Sequence, residues 1–258
     1  MKRTVSAAVI AVAVCGISQA SADQADAPRD PWEQTNRELF DFNIGLDRAV
    51  MRPVSRGYRS VVPDPLRNGV SSALENLTEP QTLINNLLQG DLEAGWNTFV
   101  RFLLNTTIGG AGLFDLTTYG HFERRKEDFG QTLAVWGVDS GPYVMLPLLG
   151  PSTARDTAGR VVDTLTDPFG FVFGFVPSLA RTGTSIVDNR SETIEATESL
   201  EATAIDFYAS VRTLYYQNRE HEIRNGEPAP LDDLYKDLEL QKDVEVRFPK
   251  SAQASTTN

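Results

Sequence analysis

Cysteine is almost missing from this 258-residue chain: Cys15 is the only one, so no disulfide can form within the molecule. Whatever holds the fold together must be packing and hydrogen bonding. Histidine is nearly as scarce. His121 and His221 stand a hundred residues apart, too few and too far separated for a histidine-dependent hydrolase or a zinc site. No Gly-x-Ser-x-Gly elbow, Walker loop, His-Glu-x-x-His or Cys-x-x-Cys is present, and Gly110-Ala111-Gly112 lacks the spacing of a dinucleotide loop. These absences argue against an enzyme and against any cofactor. Basic residues are also in deficit: 24 Lys and Arg against 35 Asp and Glu give a formal charge of −11, with no basic patch to neutralise phosphates, which sets nucleic acid aside. Finally, no apolar run reaches the roughly 20 residues needed to span a bilayer.

The longest apolar run, Val5 to Ile17, follows Lys2 and Arg3 and precedes Ala20-Ser21-Ala22, the pattern of an export signal over residues 1–22. Cys15 lies inside it. As a lipidation candidate it would want Gly, Ala or Ser before it and has Val14, whereas the Ala-Ser-Ala pattern favours cleavage after Ala22; both remain open. Residues 23–29 read as a small-residue linker. The composition is otherwise that of a globular protein, 41% hydrophobic and 23% charged, so any membrane contact is local.

Beyond the linker the chain reads as helices cut by Gly and Pro. Trp32 to Val50 is the first, ended by Pro53; Leu66 to Leu77 is the second and Gln81 to Leu88 the third. Asp91 caps a fourth, whose apolar residues Leu92, Trp96, Phe99, Val100, Leu103 and Leu104 recur at three and four before Gly109-Gly110-Ala111-Gly112 stops it. Asn36, Asn43, Asn85, Asn86 and Asn105 interrupt apolar helical stretches. Buried asparagine needs partners, so these should hydrogen-bond between elements, and a polar path is the other reading. From Phe114 to Arg160 irregular backbone is expected to pack on helices, and a helix opens at Arg155-Asp156 and ends at Asp167-Pro168. In Phe169-Gly170-Phe171-Val172-Phe173-Gly174-Phe175 the alternate phenylalanines suggest a short strand or hairpin with one aromatic face, either buried or dipping into lipid. A long helix is expected from Ser191 to about Arg224, closed by Asn225-Gly226. A shorter amphipathic piece, Leu231 to Val246, and a polar end complete an acidic tail over 226–258. From Arg190 to Arg247 there are 14 acidic against 7 basic residues, a surface suited to a basic partner or simply to solvent. The run Glu123-Arg124-Arg125-Lys126-Glu127-Asp128 offers paired carboxylates or an anion site, but such runs are usually solvated loops.

Several short motifs follow one another in a recognisable order. They are Asp30-Pro31-Trp32-Glu33-x-x-Asn36-Arg37, Arg52-Pro53-Val54, Val62-Pro63-x-Pro65-x-Arg67, Asn76-Leu77-x-Glu79-Pro80 and Asn85-x-Leu87-Leu88-Gln89-Gly90. Arg101-Phe102-x-x-Asn105-Thr106-x-x-Gly109, Glu127-Asp128-Phe129-Gly130-Gln131, Gly141-Pro142-Tyr143 and Gly150-Pro151-Ser152-x-x-Arg155-Asp156 continue the series. Together they resemble the MlaA (VacJ) family of Gram-negative outer-membrane proteins over about residues 30–220. The resemblance implies a mainly α, single ring-shaped helical domain over 30–225, lying in the inner leaflet of the outer membrane on its periplasmic side. It implies a central amphipathic channel that takes mislocalised phospholipid from the outer leaflet to a periplasmic MlaC-like lipid carrier, beside a trimeric porin. It also implies roles for Phe42 and Asn43, in a region the family uses to regulate passage, and for Phe169, Gly170, Phe171, Phe173, Gly174 and Phe175 as a hairpin near the channel. The family is usually lipidated, which is where Cys15 would matter. The competing reading is a non-transporting periplasmic scaffold or porin-associated protein.

Overall fold

The computed structural model describes residues 30–119, 122 and 124–228; the export signal, Cys15, the linker and the acidic helix expected at 231–246 lie outside them. The fold is mainly helical. Helix α1 (Glu33–Leu46) runs through a π-helical turn (Asp47–Met51) into α2 (Arg52–Val61), and α3 (Asp64–Asn76), α4 (Glu79–Gln89) and α5 (Leu92–Thr107) follow. A 3₁₀ turn (Leu116–Tyr119) leads to α6 (Phe129–Val135), an antiparallel hairpin of β1 (Tyr143–Leu146) and β2 (Gly150–Thr153), then α7 (Ala154–Thr166), α8 (Pro168–Phe173), α9 (Phe175–Thr203) and α10 (Phe207–Ile223). None of these helices is long and apolar enough to cross a membrane.

Four elements differ from the sequence expectation. The stretch from Phe114 to Arg160, expected as irregular backbone, holds α6, started by the Asp128 cap on the Gln131 N–H, and the β1–β2 hairpin, whose two strands of four residues are too short to show a period in the sequence. Pro53 does not end the first helix, because the preceding turn widens: the Arg52 N–H donates to the Asp47 carbonyl five residues back, and Pro53 then occupies the first turn of α2, where its missing N–H is harmless. The phenylalanine-glycine segment is a helical hairpin and not a strand. Asp167 accepts from the Phe169 N–H at 3.2 Å with Pro168 behind it, a helix start that outweighs the alternation, and Gly174 at φ +83° makes the reversal into α9. Its two arms are tied by the Arg181 to Asp167 ion pair at 2.6 Å, with Arg181 also lying over the Phe169 ring at 4.7 Å. The helix expected from Ser191 to Arg224 is two helices, broken at Ala204 and restarted by Asp206, whose carboxylate accepts from the Ala209 N–H at 3.0 Å.

Two packing centres organise these pieces. One is a small aromatic core in which Phe40 of α1 meets Phe207 and Tyr208 of α10 edge-on at 5.2 and 5.6 Å, with Tyr143 and Met145 of β1 beneath. The hairpin is held against α1 by two asparagines one heptad apart. Asn36 donates to the Tyr143 carbonyl and accepts from the Met145 N–H (3.1 and 2.8 Å), and Asn43 repeats the pattern with the Leu146 carbonyl and Leu148 N–H (2.9 and 2.8 Å). Each side-chain amide thus plays the part of a neighbouring strand's peptide group, satisfying an edge of β1 that would otherwise be unpaired.

The other centre is the contact of α6 with α7, where Gly159 lies against Gly130 so closely that a Cβ on Gly159 would sit 2.4 Å from the Gly130 nitrogen and 2.6 Å from its Cα. Both obstacles are backbone, so neither can swing away. Gly159→Ala should therefore lower the unfolding free energy by about 2–4 kcal/mol, more than Ala's higher helix propensity returns. An unchanged urea midpoint for this variant would show that the two helices separate more easily than this spacing implies.

Candidate functional site: a polar interior inside an apolar belt

The distribution of side chains is the reverse of an ordinary globular domain. Among the described residues six hydrophobic side chains are buried against twenty-four polar or charged ones, while thirty-two large hydrophobic residues are exposed. Helix α5 displays the inversion most plainly. Its apolar stripe faces outward, with Leu92, Trp96 and Leu103 at 70, 62 and 48% exposure, and its inner face carries Ala94, Gly95, Thr98, Arg101 and Asn105.

Most of the inward polar groups have partners, exceptions being Gln131 Oε1, Asn76 Oδ1 and the Tyr143 hydroxyl. Arg101, 4% exposed, donates to Thr117 Oγ1 at 2.6 Å and to the Phe122 carbonyl at 3.1 Å, and pairs with Glu79 and Asp115 at 3.5 and 3.6 Å. Asn86 of α4 donates to Thr98 at 3.0 Å; Asn105 donates to Asp115 and accepts from the Leu116 N–H; Thr132 of α6 donates to Asn85 at 2.9 Å. The asparagines expected to bond between elements do so. A second network joins α10 to α6 and α7: Arg219 reaches both oxygens of Asp128 at 2.7 Å and Asp156 at 3.0 Å, and Tyr215 donates to Asp156. Burial pushes the Asp156 carboxyl up, but the hydrogen bonds from Tyr215 and Arg219 and the latter's charge prevail and hold it below the usual carboxylate range.

Inside this scaffold lies a half-open cavity of about 380 Å³, lined mostly by polar side chains of α3, α4, the 124–128 loop, α6, α7, α9 and α10. Helices therefore form a ring around a polar centre. Glu127, Asp128, Gln131, Asp163 and Asp188 contribute to its wall. The charge run at 123–128 is thus not simply a solvated loop: Arg125 and Lys126 face solvent, but Glu127 is 6% exposed and accepts from Gln89 Nε2 at 2.9 Å. Burial, with the neighbouring Asp128 charge, pushes the Glu127 carboxyl up to about 7 against the opposing pull of that hydrogen bond. The folded state then holds a proton that the unfolded chain releases near pH 4.5, so Glu127 reduces stability progressively as pH rises from about 4.5 to 7. Glu127→Gln should accordingly stabilise the fold by about 2–3 kcal/mol at pH 8 and by little at pH 5; equal effects at both would contradict a neutral carboxyl in the wall.

The residues singled out in the sequence fall elsewhere. Phe169, Gly170, Phe171, Phe173, Gly174 and Phe175 are together on the α8–α9 hairpin, Phe169 and Phe173 stacking at 4.6 Å, while Phe171 and Phe175 stand 79 and 78% exposed. Phe42 and Asn43 are on α1, Phe42 exposed and Asn43 holding the β-hairpin turn at Leu148. None of the eight lines the cavity. The wall residues Asp163 and Asp188 carry no motif of their own; only Glu127 to Gln131 stood inside one.

Residues 28–222 match the family model described as MlaA lipoprotein. The chain is 32% identical over 249 residues to the intermembrane phospholipid transport system lipoprotein MlaA of Haemophilus influenzae, covering 92% of this chain and 99% of that one. It is 33% identical over 219 residues to the protein of the same name from Escherichia coli strain K12, covering 83% and 86%. A solved chain from work on the structural basis for maintenance of bacterial outer membrane lipid asymmetry superposes with a TM-score of 0.69 at 36% identity, covering 76% of this chain and 99% of that one. With most of its length matched and its helical fold shared with a solved relative, this chain belongs to the MlaA lipoprotein family.

Proposed function

We propose that this chain is the outer-membrane component of a retrograde phospholipid transport system, removing phospholipid that has strayed into the outer leaflet and so maintaining outer-membrane lipid asymmetry. The observation that carries this reading is the inverted polarity: an apolar belt around a polar cavity. Such a belt is stable only against acyl chains or another apolar surface, and without a spanning helix it seats the ring in one leaflet, here the inner leaflet from the periplasmic side. A phospholipid headgroup is stabilised by the polar centre, while its tails meet the exposed rings of Phe42, Phe171, Phe173 and Phe175. Names given to the relatives, for phospholipid transport between membranes, support the same assignment. From the ring the lipid passes to a periplasmic MlaC-like carrier, and part of the belt rests on a trimeric porin; both partners follow from the family resemblance. No covalent step is needed.

Native mass spectrometry of the mature protein, extracted from membranes in mild detergent, tests this directly. One phospholipid per chain is expected. Lipid-free protein that co-purifies with porin would instead favour the scaffold, and the same spectrum reads whether the chain begins at an acylated Cys15 or at Asp23.

A further inference from the structure

Six carboxylates line the cavity among its described residues, against two cations, Arg124 and Lys126. Part of this charge is neutralised within the protein. Arg124 pairs with Glu75, and Arg219, from outside the wall, holds Asp128 at 2.7 Å and Glu222 at 3.1 Å. Glu127, Asp163 and Asp188 make no ion pair among the described residues, although the charges of Arg125 and Arg219 act on Glu127; their hydrogen bonds come from neutral donors, among them Gln89 at 2.9 Å, the Phe129 N–H at 3.0 Å, Asn85 at 3.4 Å and Gln81, and the Tyr58 hydroxyl at 3.1 Å. A second observation is independent of these charges. Gln131, only 2% exposed, also lines the cavity; its Nε2 donates to the Lys126 carbonyl at 3.0 Å, which fixes the amide's orientation, and its Oε1 has no hydrogen-bond partner. A buried acceptor left without a donor is unfavourable, so the wall lacks a donor as well as a positive charge.

We propose that this cavity selects phospholipids by headgroup, taking a primary ammonium of the ethanolamine type in preference to anionic headgroups. The proposal rests on the transport reading above and specifies its substrate. A primary ammonium supplies three N–H donors on a compact cation, enough to serve Gln131 Oε1 and two carboxylates at once. An anionic headgroup would add like charge to the wall and leave Gln131 unserved. Quaternary ammonium carries the charge without the donors. The adjoining phosphate of the same headgroup has Lys126, solvent-exposed and next in the chain to Glu127, as its counter-charge. At about 380 Å³ the cavity admits a headgroup but not the two tails, which stay with the apolar surface. Burial raises the Glu127 carboxyl, and a neighbouring ammonium favours its ionised form. No group of three or more metal-ligating side chains competes for the role among the described residues.

The test uses full-length protein in detergent micelles doped with equimolar phosphatidylethanolamine, phosphatidylcholine and phosphatidylglycerol, with bound lipid read by native mass spectrometry. Phosphatidylethanolamine is expected at least fivefold over phosphatidylglycerol, with phosphatidylcholine between. The Glu127→Gln, Asp163→Asn double variant should bring the three within twofold. Gln131→Met, which keeps the charge, should remove the preference over phosphatidylcholine alone and serves if the double variant does not fold. Lipid bound without headgroup preference, or with phosphatidylglycerol favoured, overturns the proposal and leaves transport standing, as does a preference unchanged in the variants. Soluble glycerophosphoethanolamine that binds as tightly as the lipid would assign the cavity to a water-soluble amine and overturns the lipid reading. No bound lipid at all removes both.

Discussion

Replacing Arg219 by methionine is expected to lower the unfolding free energy by about 3–5 kcal/mol and the melting temperature by about 10 °C. The guanidinium is 8% exposed and bonds both oxygens of Asp128, Asp156 and, at 3.1 Å, Glu222. Asp128 also caps α6 through the Gln131 N–H at 2.9 Å, and Asp156 opens the first turn of α7, so one side chain on α10 fixes the starts of two helices. Methionine fills much of the volume but strands the buried Asp156 carboxylate and leaves the partly exposed Asp128 without its partner. Lysine should rescue little, since a point charge cannot reproduce the fork that spans both acids. The pH dependence separates this from loss of packing. Asp128 and Asp156 are both held below the ordinary carboxylate range despite burial, chiefly by hydrogen bonds with Arg219 and, for Asp156, Tyr215. Groups lowered in this way contribute stability above their unfolded pKa, about 3.8, that is lost as pH falls through their folded values. In the variant that contribution is missing, so its deficit should be full at pH 7 and narrow below about pH 4. A deficit that is constant from pH 7 to 3 in urea titrations would mean that the ion network is not the cause.

These same residues explain which parts of the molecule the sequence discloses. Asp30, Asn36, Asn76, Glu79, Asn85, Arg101, Asn105, Asp128 and Asp156 all stand in the motifs that carry the family resemblance, and all are bonding partners inside the ring or core. An asparagine or arginine in an apolar helix signals that the helix has a polar inner face, and that signal was legible. Helix stops at Gly109–Gly112 and Asn225–Gly226 were legible too, because positive backbone angles at Ala111, Gly112, Asn225 and Gly226 follow from local chemistry. The misread elements are those where two local rules compete. Pro53 is a breaker unless the turn before it widens, and the phenylalanine-glycine alternation is a strand signal unless Asp167-Pro168 starts a helix first. The break at 204–206 contains neither glycine nor proline, and only the capping Asp206 marks it. Hydrophobic periodicity, finally, locates a stripe without saying whether it faces a core or a bilayer, so the orientation of α5 emerges only with tertiary structure.

That ambiguity yields the second large effect. In a water-soluble domain, placing glutamate at three positions of a helix's apolar stripe would destroy the fold. Here the triple variant Leu92→Glu, Trp96→Glu, Leu103→Glu should unfold with a free energy within about 1 kcal/mol of the parent, because these side chains are largely outside the packed interior. What should change is membrane attachment. Withdrawing two leucines and a tryptophan from acyl chains forfeits roughly 5–8 kcal/mol of apolar burial, on the order of a thousandfold or more in partitioning, before the charges are counted. In a Cys15→Ser background, which removes any acyl anchor, flotation with vesicles should fall from nearly complete to nearly absent. The reciprocal substitution sharpens the inference. Asn86→Leu adds an apolar residue but deprives Thr98 of its buried partner, and should destabilise by about 1–3 kcal/mol while leaving flotation intact. Polar gain outside and apolar gain inside would then act on different quantities, one on attachment and the other on folding. If the triple glutamate variant instead failed to fold, the stripe on α5 would be covered by protein rather than lipid, and the belt would be an assembly surface.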